Sequence, residues 1–273
     1  MEIVKLISFD LDGTLLNDYG DISDFSKKKI FSFADRGIIT SINTGRGLMG
    51  MRKYLDQLPV TYSAANNGAL VYNNLEDRVE VIHFIENEHK VNIVDYVLEK
   101  DLTVNIFFEN RVVINKYSEF YYGKLYQKML NPVIEPKLTG TEEAFSIDVE
   151  ISDINLIDTV VSDIEKYFGK YVAITHSGSN FFQINKNNIT KGTALSYIAE
   201  KLSIPLNNTL SIGDSANDYP LLETSGIALA MINGEERLKS IAHRITKEDN
   251  NNDGAVNLIE SILSERGNEA RYE

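Results

Sequence analysis

Hydrophobic and polar positions change their period several times along the chain. Apolar runs at 3–9 and 38–43 read as strands, and the amphipathic stretches at 23–36 and 47–57 read as helices. Ser23 or Asp24 caps the first helix, and Gly37 follows its end. Strand, helix, strand, helix predicts a parallel sheet covered by helices. The middle of the chain has another rhythm. Short strands are expected at 79–84, 103–108, 111–115, 145–151, 171–175 and 181–185, some paired as hairpins, with helices at 85–100, 119–130 and 154–168. After Thr190 the first pattern resumes: a helix at 191–201, a strand at 209–213, a helix near 217–223, a strand at 226–230 and a last helix at 256–265. The pattern therefore divides into a first part at 1–82, an inserted α/β unit at 83–187 and a second part at 188–273. No repeat or Pro/Gly-rich linker interrupts it, and the polar KEDNNNDG at 247–254 reads as a surface loop.

Composition narrows the class. With 273 residues, 43% hydrophobic and 25% charged, the chain can bury the core of one large domain or two. No run of 18 apolar residues suggests a membrane span, and the start MEIVKLISFD lacks the basic opening of a signal peptide. The absence of cysteine excludes disulfides and thiolate zinc sites and fits a reducing cytoplasm, the expected location. A net charge of −13 argues against nucleic acid as a partner. An anion site must then be built locally, from a few cations, backbone N–H groups or a metal.

Four clusters carry the candidate chemistry. The first apolar run ends in Asp10 and Asp12, set two apart. Side chains alternate along a strand, so both carboxylates point the same way, at the strand end where open α/β sheets bind ligands. Gly13 then lets the chain turn. A calcium loop is disfavoured, because the EF-hand template wants glycine where Leu15 stands. The second cluster is NTGRG at 43–47, where Thr44 offers a hydroxyl and Gly45 lets backbone approach a ligand. In the third, NITKGTAL, Thr190 caps a helix that Lys191 opens, adding a point charge to an N-terminus suited to phosphate. The fourth, LSIGDSANDYPLL, places Asp214, Asn217 and Asp218 after another apolar strand. Each cluster alone has a bland reading: a surface turn, a solvated lysine, acids in a helix's first turn. Their joint occurrence in this order is the signal.

DLDGTL, TGR, a late KG and GDSAND closely resemble the four motifs of the haloacid dehalogenase superfamily of phosphohydrolases. The inserted unit, with NNGA at 66–69, resembles the Cof-type branch, whose α/β cap lies between the second and third motifs. Departures are small: Asn43 precedes TGR where a small residue is commoner, and Ser215 and Ala216 fill the variable part of the last motif. The resemblance implies an α/β fold, a doubly wound, Rossmann-like parallel sheet with an inserted smaller cap. It also implies Asp10 as a nucleophile that forms an aspartyl phosphate. Carboxylates ionise near pH ~4 and need no base for this. Asp12 would act as acid and then base, with a neighbouring carboxylate raising its pKa as that role requires. Mg²⁺ would be held by Asp10, the Asp12 backbone carbonyl and Asp214, with Asp218 bound directly or through water; Thr44, Gly45, Lys191 and Asn217 would bind phosphate. Arg46 is a candidate contact to substrate or cap. The expected protein is a Mg²⁺-dependent phosphatase of small phosphorylated metabolites, sugar phosphates foremost, with no nucleic-acid or membrane partner. The alternatives are a phosphomutase and a non-catalytic regulator that binds sugar phosphates. His83, His89, His176 and His243 share no metal spacing and read as structural, and the aromatic YYGKLY at 121–126 reads as packing.

Overall fold

The structure, a computed structural model, describes residues 4–109, 111–116, 132–135, 142–176 and 180–269, with side chains to Glu265. The chain begins with β1 (Leu6–Phe9), α1 (Asp24–Asp35), β2 (Ile39–Asn43), α2 (Leu48–Leu55), β3 (Val60–Ala65), β4 (Leu70–Asn73) and β5 (Arg78–Ile82). The next elements are α3 (Asn87–Glu99), β6 (Thr103–Phe107), β7 (Val112–Ile114), β8 (Val133–Ile134), β9 (Ser146–Glu150), α4 (Ile157–Phe168), β10 (Val172–His176) and β11 (Phe181–Lys186). It closes with α5 (Lys191–Lys201), β12 (Thr209–Gly213), α6 (Tyr219–Thr224), β13 (Ile227–Ala230), α7 (Glu236–Lys239), β14 (Arg244–Ile245) and α8 (Gly254–Glu269).

One sheet has eight strands in the order β14-β13-β12-β1-β2-β3-β4-β5. Strands β14 to β3 run parallel, and β4 and β5 form an antiparallel edge. The chain steps outward from β1 to β3, then returns to the other side of β1 for β12. The direction of winding therefore reverses between β1 and β12, where such sheets form a crevice at their carboxyl ends. Phe9 is level with Ile42 and with Ile212, so β1, β2 and β12 end together. These strands are buried along almost their whole length because both faces are covered, and the polar residues among them, such as Ser8, Ser41 and Ser211, are small. Ile7, Phe9, Ile42 and Ile212 pack with Phe33, Met51, Tyr54 and Ile259, while Leu6 and Ala228 belong to a second cluster with Leu195, Ile198 and Leu221.

The second sheet has six strands in the order β10-β11-β9-β6-β7-β8 and is mostly antiparallel. Helices α3 and α4 cover one face, with Ile93, Val97 and Ile164 packed on Val104, Ile147, Val149 and Ile184. Strand alternation gives the opposite face Asn105, Phe107, Ser146, Asp148, Gln183 and Asn185, all buried. That face meets the first sheet's layer, since Phe107, Val112, Ile114 and Phe145 share a buried cluster with Met51 and Leu70.

Several expectations need correction. The strand expected at 79–84 in the middle unit is β5, hairpin-paired with β4 on the edge of the main sheet. Strands β3 and β4 were absent from the sequence reading: Thr61, Ser63 and two alanines dilute the pattern of β3, and β4 offers only three apolar residues before Asn73. The helix expected at 154–168 opens with a tighter turn, Ile154–Leu156, where the Asp153 side chain accepts from the Asn155 N–H. Elements as short as α7, β8 and β14 have too few residues to show a period. The helix expected at 119–130, with the aromatic stretch at 121–126, lies outside the described residues. Among the described residues no helix is long and apolar enough to cross a membrane.

Candidate active site

Three elements aim charged side chains into the crevice. Asp10 follows β1, Asp214 follows β12, and Lys191 is the first residue of α5. A capping box fixes that helix start: the Thr190 hydroxyl accepts from the Thr193 N–H, and the Thr193 hydroxyl accepts from the Thr190 N–H. Asn43, the departure noted before TGR, is fully buried and donates to the Lys191 carbonyl at 2.7 Å, tying the end of β2 to the start of α5. The Lys191 ammonium, with no exposed surface, reaches Asp10 Oδ1 at 2.7 Å and Asp218 Oδ1 at 2.6 Å. Asp218 Oδ2 accepts from the backbone N–H groups of Asp214 at 3.0 Å and Ser215 at 3.1 Å. Both Asp218 oxygens are therefore engaged, and the residue holds the lysine and the loop together. Asp214 Oδ1 accepts from the Thr14 hydroxyl at 3.1 Å. Its carboxylate rests against Gly13, whose φ of +73° suits glycine and where a Cβ would fall 2.4 Å from Asp214 Oδ2.

Oxygens of Asp10, Asp214 and Asp218 lie within 4.8 Å of one another. Such crowding in a buried site disfavours ionisation. Burial, then the Asp218 charge, raises the Asp10 pKa well above its ordinary value, with Lys191 opposing. The same two causes push Asp214 up to about 7. Burial works against the Lys191 charge, but Asp10 and Asp218 outweigh it and hold its pKa above the usual lysine value. The donors are all oxygen, and Asp10 and Asp214 both have oxygens not taken by Lys191. A hard divalent cation fits this set and would relieve the excess of negative charge.

Asp12 takes a different position from its partner in DLD. Its side chain is 55% exposed and lies outside the carboxylate cluster. The Arg46 guanidinium grips it with both arms, Nε to Oδ2 at 2.6 Å and Nη2 to Oδ1 at 2.5 Å. Arg46 also lies over the Tyr54 ring and donates to its hydroxyl at 3.3 Å. Thr44 is buried, and its hydroxyl accepts from the Arg46 N–H at 3.2 Å. Gly45 faces the amides of Asn67 and Asn217, which are joined at 3.0 Å. Gln183 of β11 in turn donates to the Gly45 carbonyl at 3.3 Å.

The structure thus gathers Asp10, Lys191, Asp214 and Asp218 into one buried group, with Thr44, Gly45 and Asn217 along one side and Asp12 with Arg46 apart. Sequence reasoning had passed over Thr14, Tyr54, Asp148 and Gln183, and gave Asn67 only to the resemblance. A usable signal existed for the last two: Asn-Asn-Gly marks a left-handed turn, and a buried-strand pattern interrupted by Gln183 marks a polar face. Two histidines have structural tasks, since His243 Nδ1 accepts from the Ala228 N–H and His89 stacks on Tyr171.

Comparison with known proteins agrees with this geometry. Over 258 residues the chain is 29% identical to a 5-amino-6-(5-phospho-D-ribitylamino)uracil phosphatase of Bacillus subtilis, covering 94% of each chain. It is 26% identical over 270 residues to a putative phosphatase of the same organism, covering 95% of this chain and 99% of that one. The fold matches a haloacid dehalogenase-like hydrolase of Bacteroides thetaiotaomicron with a TM-score of 0.84 at 23% identity, over 95% of this chain and 99% of the other. A subclass IIB sugar phosphatase superposes with a TM-score of 0.83 at 20% identity, over 95% and 99%. The sequence profile of the haloacid dehalogenase-like hydrolases matches residues 7–259, and on that match, with its four clusters assembled at one crevice, the chain belongs to this family.

Proposed function

We propose that this chain is a Mg²⁺-dependent phosphatase of small phosphorylated metabolites, with sugar and polyol phosphates as the substrate class. The observation that carries the reading is the buried Asp10–Lys191–Asp218 group beside Asp214 at the reversal of the sheet. In this reading the Asp10 oxygen not bound to Lys191 attacks phosphorus, and the bond to the ester oxygen breaks. Asp12, once loosened from Arg46, takes up a proton from solvent and gives it to the leaving oxygen, then takes one from the water that cleaves the aspartyl phosphate. For this, Asp12 exchanges part of its Arg46 contact for the substrate oxygen. Thr44, the Gly45 backbone, Lys191 and Asn217 bind the phosphate oxygens. Asp10, the Asp12 carbonyl and Asp214 would hold the Mg²⁺, with Asp218 acting through Lys191 and the loop backbone. When bound, the ion screens the repulsion between Asp10 and the incoming phosphate. The unit at 83–187 acts as a cap, a reading supported by the contact of Gln183 with Gly45 and by the burial of Phe107 among first-sheet residues. The substrate class is supported by the relatives, one named for a phosphorylated ribityl compound and one for sugar phosphates. We assign it to the cytoplasm, consistent with a chain free of cysteine.

The test is phosphate release from a panel of phosphate esters by purified protein, after chelation and after adding back Mg²⁺ or Ca²⁺. Release should require Mg²⁺, favour sugar or polyol phosphates, and fall at least ~10³-fold in Asp10→Asn, a barrier rise of roughly 4 kcal/mol. Isomer formation without phosphate release, or tight sugar-phosphate binding without turnover, would overturn the phosphatase reading.

A further inference from the structure

A chain of side-chain amides runs from the second sheet to the phosphate side of the crevice. Gln183 Nε2 donates to Asp148 Oδ1 at 2.7 Å and to the Gly45 carbonyl at 3.3 Å. Asn67 Nδ2 donates to Gln183 Oε1 at 2.7 Å. Asn217 Nδ2 donates to Asn67 Oδ1 at 3.0 Å, and the Ser215 hydroxyl donates to Asn217 Oδ1 at 2.7 Å. Asn67, Asp148 and Gln183 are buried.

The direction of such a chain is set where a partner has only one role. At the Ser215 end nothing sets it, because a hydroxyl donates or accepts equally well. At the Gln183 end two oxygens accept: the Gly45 carbonyl, which can do nothing else, and Asp148 Oδ1. They oblige Gln183 to turn its NH₂ toward them, which presents its oxygen to Asn67. Asn67 must then turn its NH₂ to Gln183 and its oxygen to Asn217. Asn217 is left with its NH₂ toward Asn67 and Gly45, where Nδ2 lies 3.5 Å from the position of a Cβ on Gly45. One of its two hydrogens serves Asn67, and the other remains for a ligand oxygen. Phosphate oxygens accept hydrogen bonds, so the opposite orientation would set a carbonyl against them.

The backbone at Asn67 is consistent with a maintained purpose. Asn66, Asn67 and Gly68 have φ of 48°, 56° and 96°, three successive left-handed residues. Such backbone persists where its surroundings hold it. Here the Asn66 N–H donates to the Arg46 carbonyl at 2.9 Å, and the Asn67 N–H to the Thr44 carbonyl at 3.0 Å. The turn is thereby fastened to the loop that carries Thr44 and Gly45.

We propose that Asn67 and Gln183 are positioning residues: through them the second sheet orients the Asn217 amide with its N–H end toward the bound phosphate. The proposal rests on the phosphatase reading, in which Asn217 binds phosphate. The test uses Asn67→Gly, which keeps the left-handed backbone and removes only the amide, Gln183→Leu, and the double variant. Binding of inorganic phosphate in the presence of Mg²⁺ is measured by calorimetry, beside KM and kcat for para-nitrophenyl phosphate and the Tm. Each single variant should weaken phosphate binding by roughly tenfold, the order expected for losing one hydrogen bond to a charged group. The double variant should be no worse than the weaker single, because the links act in series. Phosphate affinity unchanged while only the Tm falls would reduce both residues to structural ones and overturn the proposal. So would additive losses, or an effect of Gln183→Leu confined to bulky leaving groups. If the unaltered protein releases phosphate from no ester, the phosphatase reading fails, and calorimetry with inorganic phosphate still decides this one.

Discussion

Replacing Gly13 by alanine perturbs the site through two separable effects. The first is conformational: φ at Gly13 is +73°, and a non-glycine residue there costs about 1–2 kcal/mol. The second is steric: the new Cβ would lie 2.4 Å from Asp214 Oδ2, where ordinary contact begins at 3.4 Å, so the carboxylate must retreat by about 1 Å. Gly37 supplies the control, since its φ is +78° and nothing lies within 4 Å of its Cβ position. Gly37→Ala should carry the conformational cost alone. At about 2–4 °C per kcal/mol for a chain of this size, both variants should lose roughly 2–8 °C of Tm. Only Gly13→Ala should lose function. A displacement of ~1 Å in a reacting group is worth about 10²-fold in rate, so turnover should fall by that order and the Mg²⁺ needed for half activity should rise. Thermal melting, a Mg²⁺ titration of turnover, and the two variants side by side complete the experiment. If Gly13→Ala loses Tm like Gly37→Ala but keeps turnover and Mg²⁺ dependence within about threefold, Asp214 does not need its place against Gly13 and the argument for the site geometry fails.

Two further outcomes follow from the acids. Asp214 has its pKa pushed up to about 7 by burial and by Asp218, so its protonated form favours the metal-free fold. That contribution is full below about pH 4, the unfolded value, and is lost as the pH rises through about 7, while cation binding needs the ionised form and strengthens over the same range. The Tm increment from Mg²⁺ should therefore grow as the pH is raised through neutrality, and an increment flat between about pH 5 and 9 would remove Asp214 from the ligand set. Asp12→Ala should slow hydrolysis of alkyl phosphates, whose alkoxides leave poorly, far more than that of para-nitrophenyl phosphate, and equal losses would take Asp12 out of the proton-transfer role.

What the sequence determined by itself was local or periodic. The capped helix after Ser23, the helix starting at Lys191 and the strand from Thr209 to Gly213 were readable because capping, period and apolar runs act within a dozen residues. The acids Asp10, Asp12, Asp214 and Asp218, with Lys191, stood out because charged residues directly after apolar strands or at a helix start need a reason. Only the tertiary structure decided how they are shared out. The Asp10–Asp12 spacing promised a pair, yet Asp10 joins Lys191 and Asp218 across 181 and 208 residues, and Asp12 is drawn to Arg46. Burial and the Asp218 charge crowd Asp10 and Asp214, which the sequence spacing alone does not bring together. Alternation along a strand says which way a carboxylate points but not which cation is waiting there. Strands β3 and β4 and the pairing of the amides through Asn67 were likewise not legible, because those pairings depend on partners across the sheet or from the other sheet. A hydrogen bond between Gln183 and Asn67 joins positions 116 residues apart, and no local pattern encodes that distance.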